Sequence, residues 1–363
     1  MFNGFGRKRR LRLSYKYILT FAPAFSLAFP PVPSTSLRQI KRPLTTMGNT
    51  ITTVHALWDQ SFPPKSKFST DQIPDLTGRI ALVTGGNVGV GKETVKALLE
   101  RNAKVYMGSR SKLRAEASIE DLKKVTGKEA IFLKLDLSNL DSVKQAADEF
   151  SSKEKELHIL FLNAGVMLPP KEELTKEGYD LTFGTNVIGH FLLSKLLMPR
   201  LLAGKETSPD KHARIITTSS GMAYFITLDW DSIKDGPARR KLSLNTLYAQ
   251  SKFANVVVAR ELARRYGHQG ILSISVNPGN LKTEMQRNMN WFQTRLLNMM
   301  LYPASYGALT QLWAGTMPEA INYNGEFMIP WARPGKCRDE AYDPKVGERL
   351  WDWLEEAVKS FSK

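Results

Sequence analysis

Short runs of β-branched and apolar residues alternate with longer amphipathic stretches between residues 79 and 276, and this alternation leaves few folds open. The strand-like runs are Arg79–Thr84, Lys104–Gly108, Ala130–Leu135, His158–Leu162, Arg214–Ser219 and Leu272–Val276, with Phe327–Ile329 as a short seventh. Helical periodicity fills the intervals: Gly91–Asn102, 111–126, a stretch from an Asn139/Asp141 cap to Lys153, Asp180–Leu202 and Thr246–Tyr266. Strand–helix–strand units of this length connect right-handed and predict an α/β chain with a doubly wound parallel sheet, a Rossmann fold. The runs are almost continuously apolar, as strands buried on both faces must be. We expect one domain over 75–363, closed by a helix near 345–361 that carries Trp351 and Trp353. Residues 47–74 read as a linker, and 1–46 as a basic extension or targeting segment outside the fold.

Charge is concentrated at the N-terminus. Of a net +16, residues 1–58 hold nine Lys or Arg and no acid, leaving 42 basic against 35 acidic residues in 59–363. So mild an excess calls for no nucleic-acid partner, although it suits a phosphate-bearing cofactor. One cysteine, Cys337, excludes an intrachain disulfide framework, and five scattered histidines without an H-x-x-x-H pair argue against a metal centre. The apolar run Tyr17–Phe29 is too short to span a bilayer and is interrupted by Pro23. Its basic flank is similar to a secretory or organellar leader, which would direct the chain to an organelle. A start at Met47 would instead leave Met-Gly-Asn-Thr-Ile-Thr, a myristoylation pattern, on a protein at the cytoplasm or on an internal membrane. Intact mass distinguishes these starts.

The first strand-to-helix turn, Thr84-Gly-Gly-Asn-Val-Gly-Val-Gly91, places Gly85, Gly89 and Gly91 with Asn87 and Val88 between them. Glycines there allow a tight turn and close approach of the backbone to a pyrophosphate at a helix N-terminus. No P-loop is closed, because Lys92 is followed by Glu93. The second strand ends in Gly108-Ser-Arg-Ser111, with no acid before Glu116. An acid at this point binds the ribose 2′-hydroxyl of NAD, whereas an arginine pairs with the 2′-phosphate of NADP, so Arg110 predicts NADP(H).

Tyr248-Ala-Gln-Ser-Lys252 is the other informative stretch. Of eleven tyrosines it alone has a lysine four residues on. On a helix that spacing puts both side chains on one face, where an ammonium would favour phenolate and lower the tyrosine pKa. Alone the pair is a common surface spacing; with the glycine turn it reads as proton-transfer chemistry.

These residues resemble the short-chain dehydrogenase/reductase family over about 75–335. The resemblance implies cofactor contacts from the glycine turn, from Asp136-Leu137 beside the adenine, and from Asn163-Ala164-Gly165, where Leu162 replaces a usual asparagine. Pro278-Gly279 and Thr283 match the stretch beside the nicotinamide and pyrophosphate. It implies a catalytic tetrad of Asn186, Ser220, Tyr248 and Lys252. Ser220 would hydrogen-bond the reacting oxygen and Tyr248 donate its proton, while Lys252 binds the nicotinamide ribose and Asn186 holds a water. The long Ser220–Tyr248 interval, with Leu228-Asp-Trp-Asp231, is similar to the retinol-dehydrogenase-like branch and to plant protochlorophyllide reductases; the whole chain looks most like fungal NADP-dependent reductases. Met285, Met289, Trp291, Phe292, Leu296, Leu297, Met299 and Met300 follow the Pro278-Gly279 stretch. They suit a lipophilic aldehyde or ketone, though packing on the core or on a second subunit explains them equally well. An apolar lid of this kind could also touch a membrane surface, and the family is commonly dimeric or tetrameric. Reduction of an activated C=C bond, or a non-catalytic NADP sensor, are the competing functions.

Overall fold

The computed structural model describes residues 58–281 and 301–362. The N-terminal extension with its myristoylation pattern, Thr283 and the apolar segment 285–300 lie outside the described residues.

β1 (Ile80–Thr84) turns into α1 (Gly89–Glu100), followed by β2 (Lys104–Ser109), α2 (Lys112–Thr126), β3 (Ile131–Lys134), α3 (Leu140–Lys153) and β4 (Ile159–Leu162). Then come α4 (Leu181–Thr207), β5 (Ala213–Thr218), a short α5 (Pro237–Lys241), α6 (Leu244–Tyr266) and β6 (Ile271–Val276). After the undescribed segment, α7 (Ala304–Thr316), β7 (Phe327–Ile329), β8 (Arg333–Gly335) and α8 (Pro344–Val358) complete the chain. The strands form one sheet in the order β3-β2-β1-β4-β5-β6-β7-β8. Every neighbouring pair is parallel except β7–β8. The chain winds outward from β1 to β3 and then returns to the other side of β1, so β1 and β4 flank the switch point. In such sheets the ligand crevice opens beyond the carboxyl ends of these strands.

Local chemistry fixes where the helices begin. Ser111 caps α2 by accepting from Arg114 N, and α2 ends at Gly127, whose φ of 69° needs no Cβ. Asn139 caps α3 through Asp141 and Ser142 N–H, and Asp343 caps α8 with Pro344 in its first turn. The sheet separates two apolar layers. One joins α3, α4, α6 and α8, and the other joins α1, α2 and α7. Composition alone would let α4 cross a membrane, but here it is a core helix, with Phe191, Leu192, Leu193 and Leu197 all buried. α8 presents Leu350, Trp351, Leu354 and Val358 to the core, with Trp351 edge-on to Phe191 at 5.0 Å and Trp353 near Tyr179 at 5.8 Å.

α5, α7 and β8 are not legible as periodic runs. α7 is rich in small residues because they are needed for contact: a Cβ on Gly315 would lie 2.5 Å from Phe161 Cζ, and one on Gly307 2.4 Å from Leu281 Cδ1. β8 is Arg-Pro-Gly and becomes a strand only by pairing with β7. Part of the stretch expected as a linker is packed: Gln60, Phe68 and Ile73 are all buried, and Phe68 and Ile73 join the α1–α2–α7 layer.

Candidate active site

Thr84 ends β1 and organises the crevice. Its Oγ1 accepts from the backbone N–H groups of Asn163 and Ala164, both at 2.9 Å, and Asn163 Nδ2 donates to Thr84 O at 2.9 Å. The Asn163-Ala164-Gly165 turn is thereby fastened to the start of the glycine turn. Gly85 has φ of 67°, and its N–H donates to Gly108 O at 2.8 Å. A Cβ on Gly91 would lie 2.2 Å from Gly85 O and 2.7 Å from Asn163 Nδ2, so only glycine lets α1 approach the turn this closely.

A cavity of about 420 Å³ lies over these turns. Gly85, Asn87, Val88 and Gly91 line one wall, and Leu137 with Asn163, Ala164 and Gly165 another. Arg110, Tyr248, Lys252 and Pro278 line it as well. Gly89, Asp136, Asn186, Ser220 and Gly279 are not in its lining. Gly89, with φ of 55°, begins α1. Asp136 Oδ1 accepts from Ser138 N and Ser138 Oγ at 3.0 and 2.7 Å, so of the Asp136-Leu137 pair it is Leu137 that faces the cavity. Gly279 lies beneath the Trp331 ring, and a Cβ there would come within 2.9 Å of it. Arg114 and Val166, to which the sequence reading gave no role, also line the cavity, together with Ser111, Met167 and Thr185. Arg114, one turn into α2, had a signal in its spacing from the Ser111 cap.

The expected tetrad comes together. Ser220 begins a short helix (Gly221–Tyr224), with its Oγ accepting from Met222 N at 3.2 Å, and it stands close enough to the Tyr248 phenol to favour its ionised form. Lys252 Nζ lies 5.6 Å from the Tyr248 ring centre and donates to Thr218 O at 2.9 Å. Asn186 sits in a π-helical turn of α4 (Gly184–Ile188), a widening often found at functional sites. Its side chain is occupied by protein partners: Oδ1 accepts from Val166 N at 2.9 Å, and Nδ2 donates to Val166 O at 3.1 Å and Ser251 Oγ at 3.0 Å. Oδ1 keeps one lone pair through which a water could still be held. Gly165 leaves room for the meeting, since a Cβ there would lie 3.1 Å from Asn186 Oδ1 and 3.5 Å from Lys252 Nζ.

Electrostatics modify the sequence expectation. Burial pushes Tyr248 up to about 12, against a lowering by the neighbouring Ser220, and pushes Lys252 down to about 8. Desolvation of both groups outweighs the attraction expected between ammonium and phenolate. Two buried side chains missing from the sequence reading stabilise the surroundings. His190 Nδ1 donates to Asn186 O at 3.1 Å, so its Nε2 accepts from Thr84 Oγ1 at 2.9 Å. Burial lowers His190 to about 3, and it stays neutral. Gln311 of α7 donates to Asn163 Oδ1 at 3.3 Å and accepts from Thr218 Oγ1 at 3.0 Å.

The family model described as short chain dehydrogenase matches residues 79–229. A short-chain dehydrogenase/reductase of Armillaria gallica is 58% identical over 315 residues, covering 87% of this chain and all of that relative. The chain belongs to the short-chain dehydrogenase/reductase family. It is an NAD(P)-dependent oxidoreductase of that family. This dehydrogenase/reductase is also 33% identical to human retinol dehydrogenase 12 over 76% of its length and 85% of the relative. Among solved structures, an uncharacterized protein from Mycobacterium paratuberculosis shares 27% identity with a TM-score of 0.63, covering 81% of this chain and 98% of that one. The RhlG/NADP active-site complex of Pseudomonas aeruginosa shares the fold at 23% identity and a TM-score of 0.58, over 70% of this chain and 95% of that one.

Proposed function

We propose that the protein is an NADP(H)-dependent reductase that interconverts a lipophilic aldehyde or ketone with its alcohol, with Ser220, Tyr248 and Lys252 acting on the reacting oxygen. One observation carries this reading: Tyr248 and the buried Lys252 line the same cavity as Arg110 and Arg114, with Ser220 beside the phenol. The site suits a dinucleotide, because the Gly85–Gly91 contact, which any side chain on Gly91 would break, brings the N-terminus of α1 against the glycine turn that lines the cavity. When bound, the nicotinamide supplies or accepts the hydride.

In reduction the carbonyl oxygen gains negative charge. Ser220 donates a hydrogen bond to it, and Tyr248 gives it a proton. A phenol pushed up to about 12 is protonated at neutral pH, which suits a general acid. Lys252 stabilises the phenolate left behind while it is charged. Its value is depressed, so it is charged below about pH 8 and neutral above. The kcat/KM for carbonyl reduction should therefore hold below this value and fall as pH rises through about 8, an alkaline limb that a pH–rate profile would reveal. Asn186 acts through Val166, holding the turn against which substrate and cofactor meet.

The cofactor preference rests on Arg110 and Arg114, which face the cavity with no acid beside them in the Gly108–Ser111 turn. Replacing both with alanine should raise KM for NADPH by roughly 10²-fold while leaving that for NADH nearly unchanged, since each charge-assisted bond to a phosphate contributes about 1.5–3 kcal/mol. Equal effects on both cofactors would point to NAD. Met167 and Phe225, each partly exposed near the tetrad, favour an apolar substrate, in keeping with the retinol in the human relative's name. Panels of long-chain aldehydes, ketones, alcohols and enones with NADPH or NADP test the reaction. Turnover confined to enones, or none despite tight NADPH binding, would overturn it.

A further inference from the structure

We propose that the helical turn at 58–61, acting through Gln60, is a brace that sets the Ser220 turn and the Pro278–Gly279 turn against each other at the nicotinamide end of the site. The inference rests on the proposed reading of those two turns as substrate-side and nicotinamide-side contacts. Gln60 precedes the family-matched stretch, which begins at residue 79, and it is only 4% exposed.

A single side-chain amide reaches both turns. Gln60 Nε2 donates to Tyr224 Oη at 3.0 Å, and Gln60 Oε1 accepts from Asn277 Nδ2 at 2.8 Å. Tyr224 ends the short helix that Ser220 caps. Asn277 Oδ1 in turn accepts from Gly279 N at 3.0 Å, so Asn277 holds the Pro278–Gly279 turn directly. The polarity of this chain has one solution. Tyr224 gives its proton to Lys336 O, leaving its oxygen to accept from Gln60, and Asn277 turns its nitrogen to Gln60 because its oxygen is occupied by Gly279. Neighbouring groups pin the brace: Asp59 pairs with Arg333 at 3.0 Å, and Arg333 also donates to Asp59 O and Pro330 O. Pro330 and Trp331 pack directly on Gly279. None of these partners belongs to the glycine turn or to the Arg110 loop.

The brace therefore acts on the nicotinamide half of the cofactor site and leaves the adenosine half alone. A Gln60→Leu variant should bind NADPH roughly tenfold more weakly, the effect of about one lost buried hydrogen-bond pair. It should bind 2′-phospho-ADP-ribose, which lacks the nicotinamide, within about twofold of the wild type. Fluorescence titration of NADPH and calorimetry with the fragment measure the two affinities. Should Gln60→Leu be unfolded at the assay temperature, Tyr224→Phe severs one arm with little change of shape and should weaken NADPH selectively by roughly threefold. Equal losses for both ligands, or none for either, would overturn the brace, as would a wild type that binds NADPH no better than the fragment. These readouts involve no turnover, so failure of the carbonyl-reductase reading would be seen separately, as retained activity in Tyr248→Phe.

Discussion

Replacing Tyr248 with phenylalanine should lower kcat for carbonyl reduction by a factor of roughly 10²–10⁴, the range that a positioned acid supplies, while NADPH affinity changes little. The half-buried phenol is held protonated by desolvation, so its proton is available at neutral pH, and among the described residues no carboxylic acid or imidazole lines the cavity to replace it. His190, the nearest buried imidazole in the network, has its one ring proton committed to Asn186 O. Phenylalanine removes the oxygen and keeps the ring, so Lys252 keeps its bond to Thr218 O. Steady-state kinetics with a carbonyl substrate, beside an NADPH titration, checks both halves. A variant with near-wild-type kcat would remove Tyr248 from the mechanism.

The largest effect on stability should come from Arg239→Ala. Arg239 Nε donates to Asp180 Oδ2 at 2.9 Å, and the two side chains are 3% and 2% exposed. The guanidinium also donates to Lys171 O at 2.6 Å and Glu173 O at 3.2 Å, tying α5 to the loop before α4. Asp180 accepts from Phe183 N as well, capping the helix that carries Asn186. Truncation leaves a buried carboxylate without its partner, which costs about 3–5 kcal/mol. For a chain of this size that lowers Tm by roughly 10 °C. Thermal unfolding monitored by circular dichroism measures it. Asp180→Asn combined with Arg239→Met should recover part of the loss, because neither member then buries an unpaired charge. A shift under about 2 °C in the single variant would show that water reaches Asp180.

Much of this molecule is written in local sequence. The runs from Ile80 to Val276 appear as strands because burial on both faces demands apolar β-branched residues there. The glycine turn and the Tyr248–Lys252 spacing were legible because backbone approach and helix geometry restrict residue type at those positions. Gln60, His190, Gln311 and Arg239 were not legible. A buried polar side chain is defined by partners far along the chain, and nothing near Gln60 in sequence points to Tyr224 or Asn277. The electrostatics escaped for a related reason: spacing brings Tyr248 and Lys252 together, but how far burial shifts each depends on the whole fold around them.

The placing of Gln60 also bears on the order in which the molecule is completed. The sheet grows in nearly the order of synthesis, since each strand after β1 adds beside one already made. The brace does the opposite. Its partners lie 217 residues away at Asn277 and 274 residues away at Arg333, the longest loops closed by any of its bonds. Loop-closure entropy rises with separation, so these contacts follow the local ones. Residues 58–61, made before β1, are thus fixed among the last, and a nascent chain that stops short of Asn277 has a built glycine turn but no latch between the Ser220 turn and the Pro278–Gly279 turn.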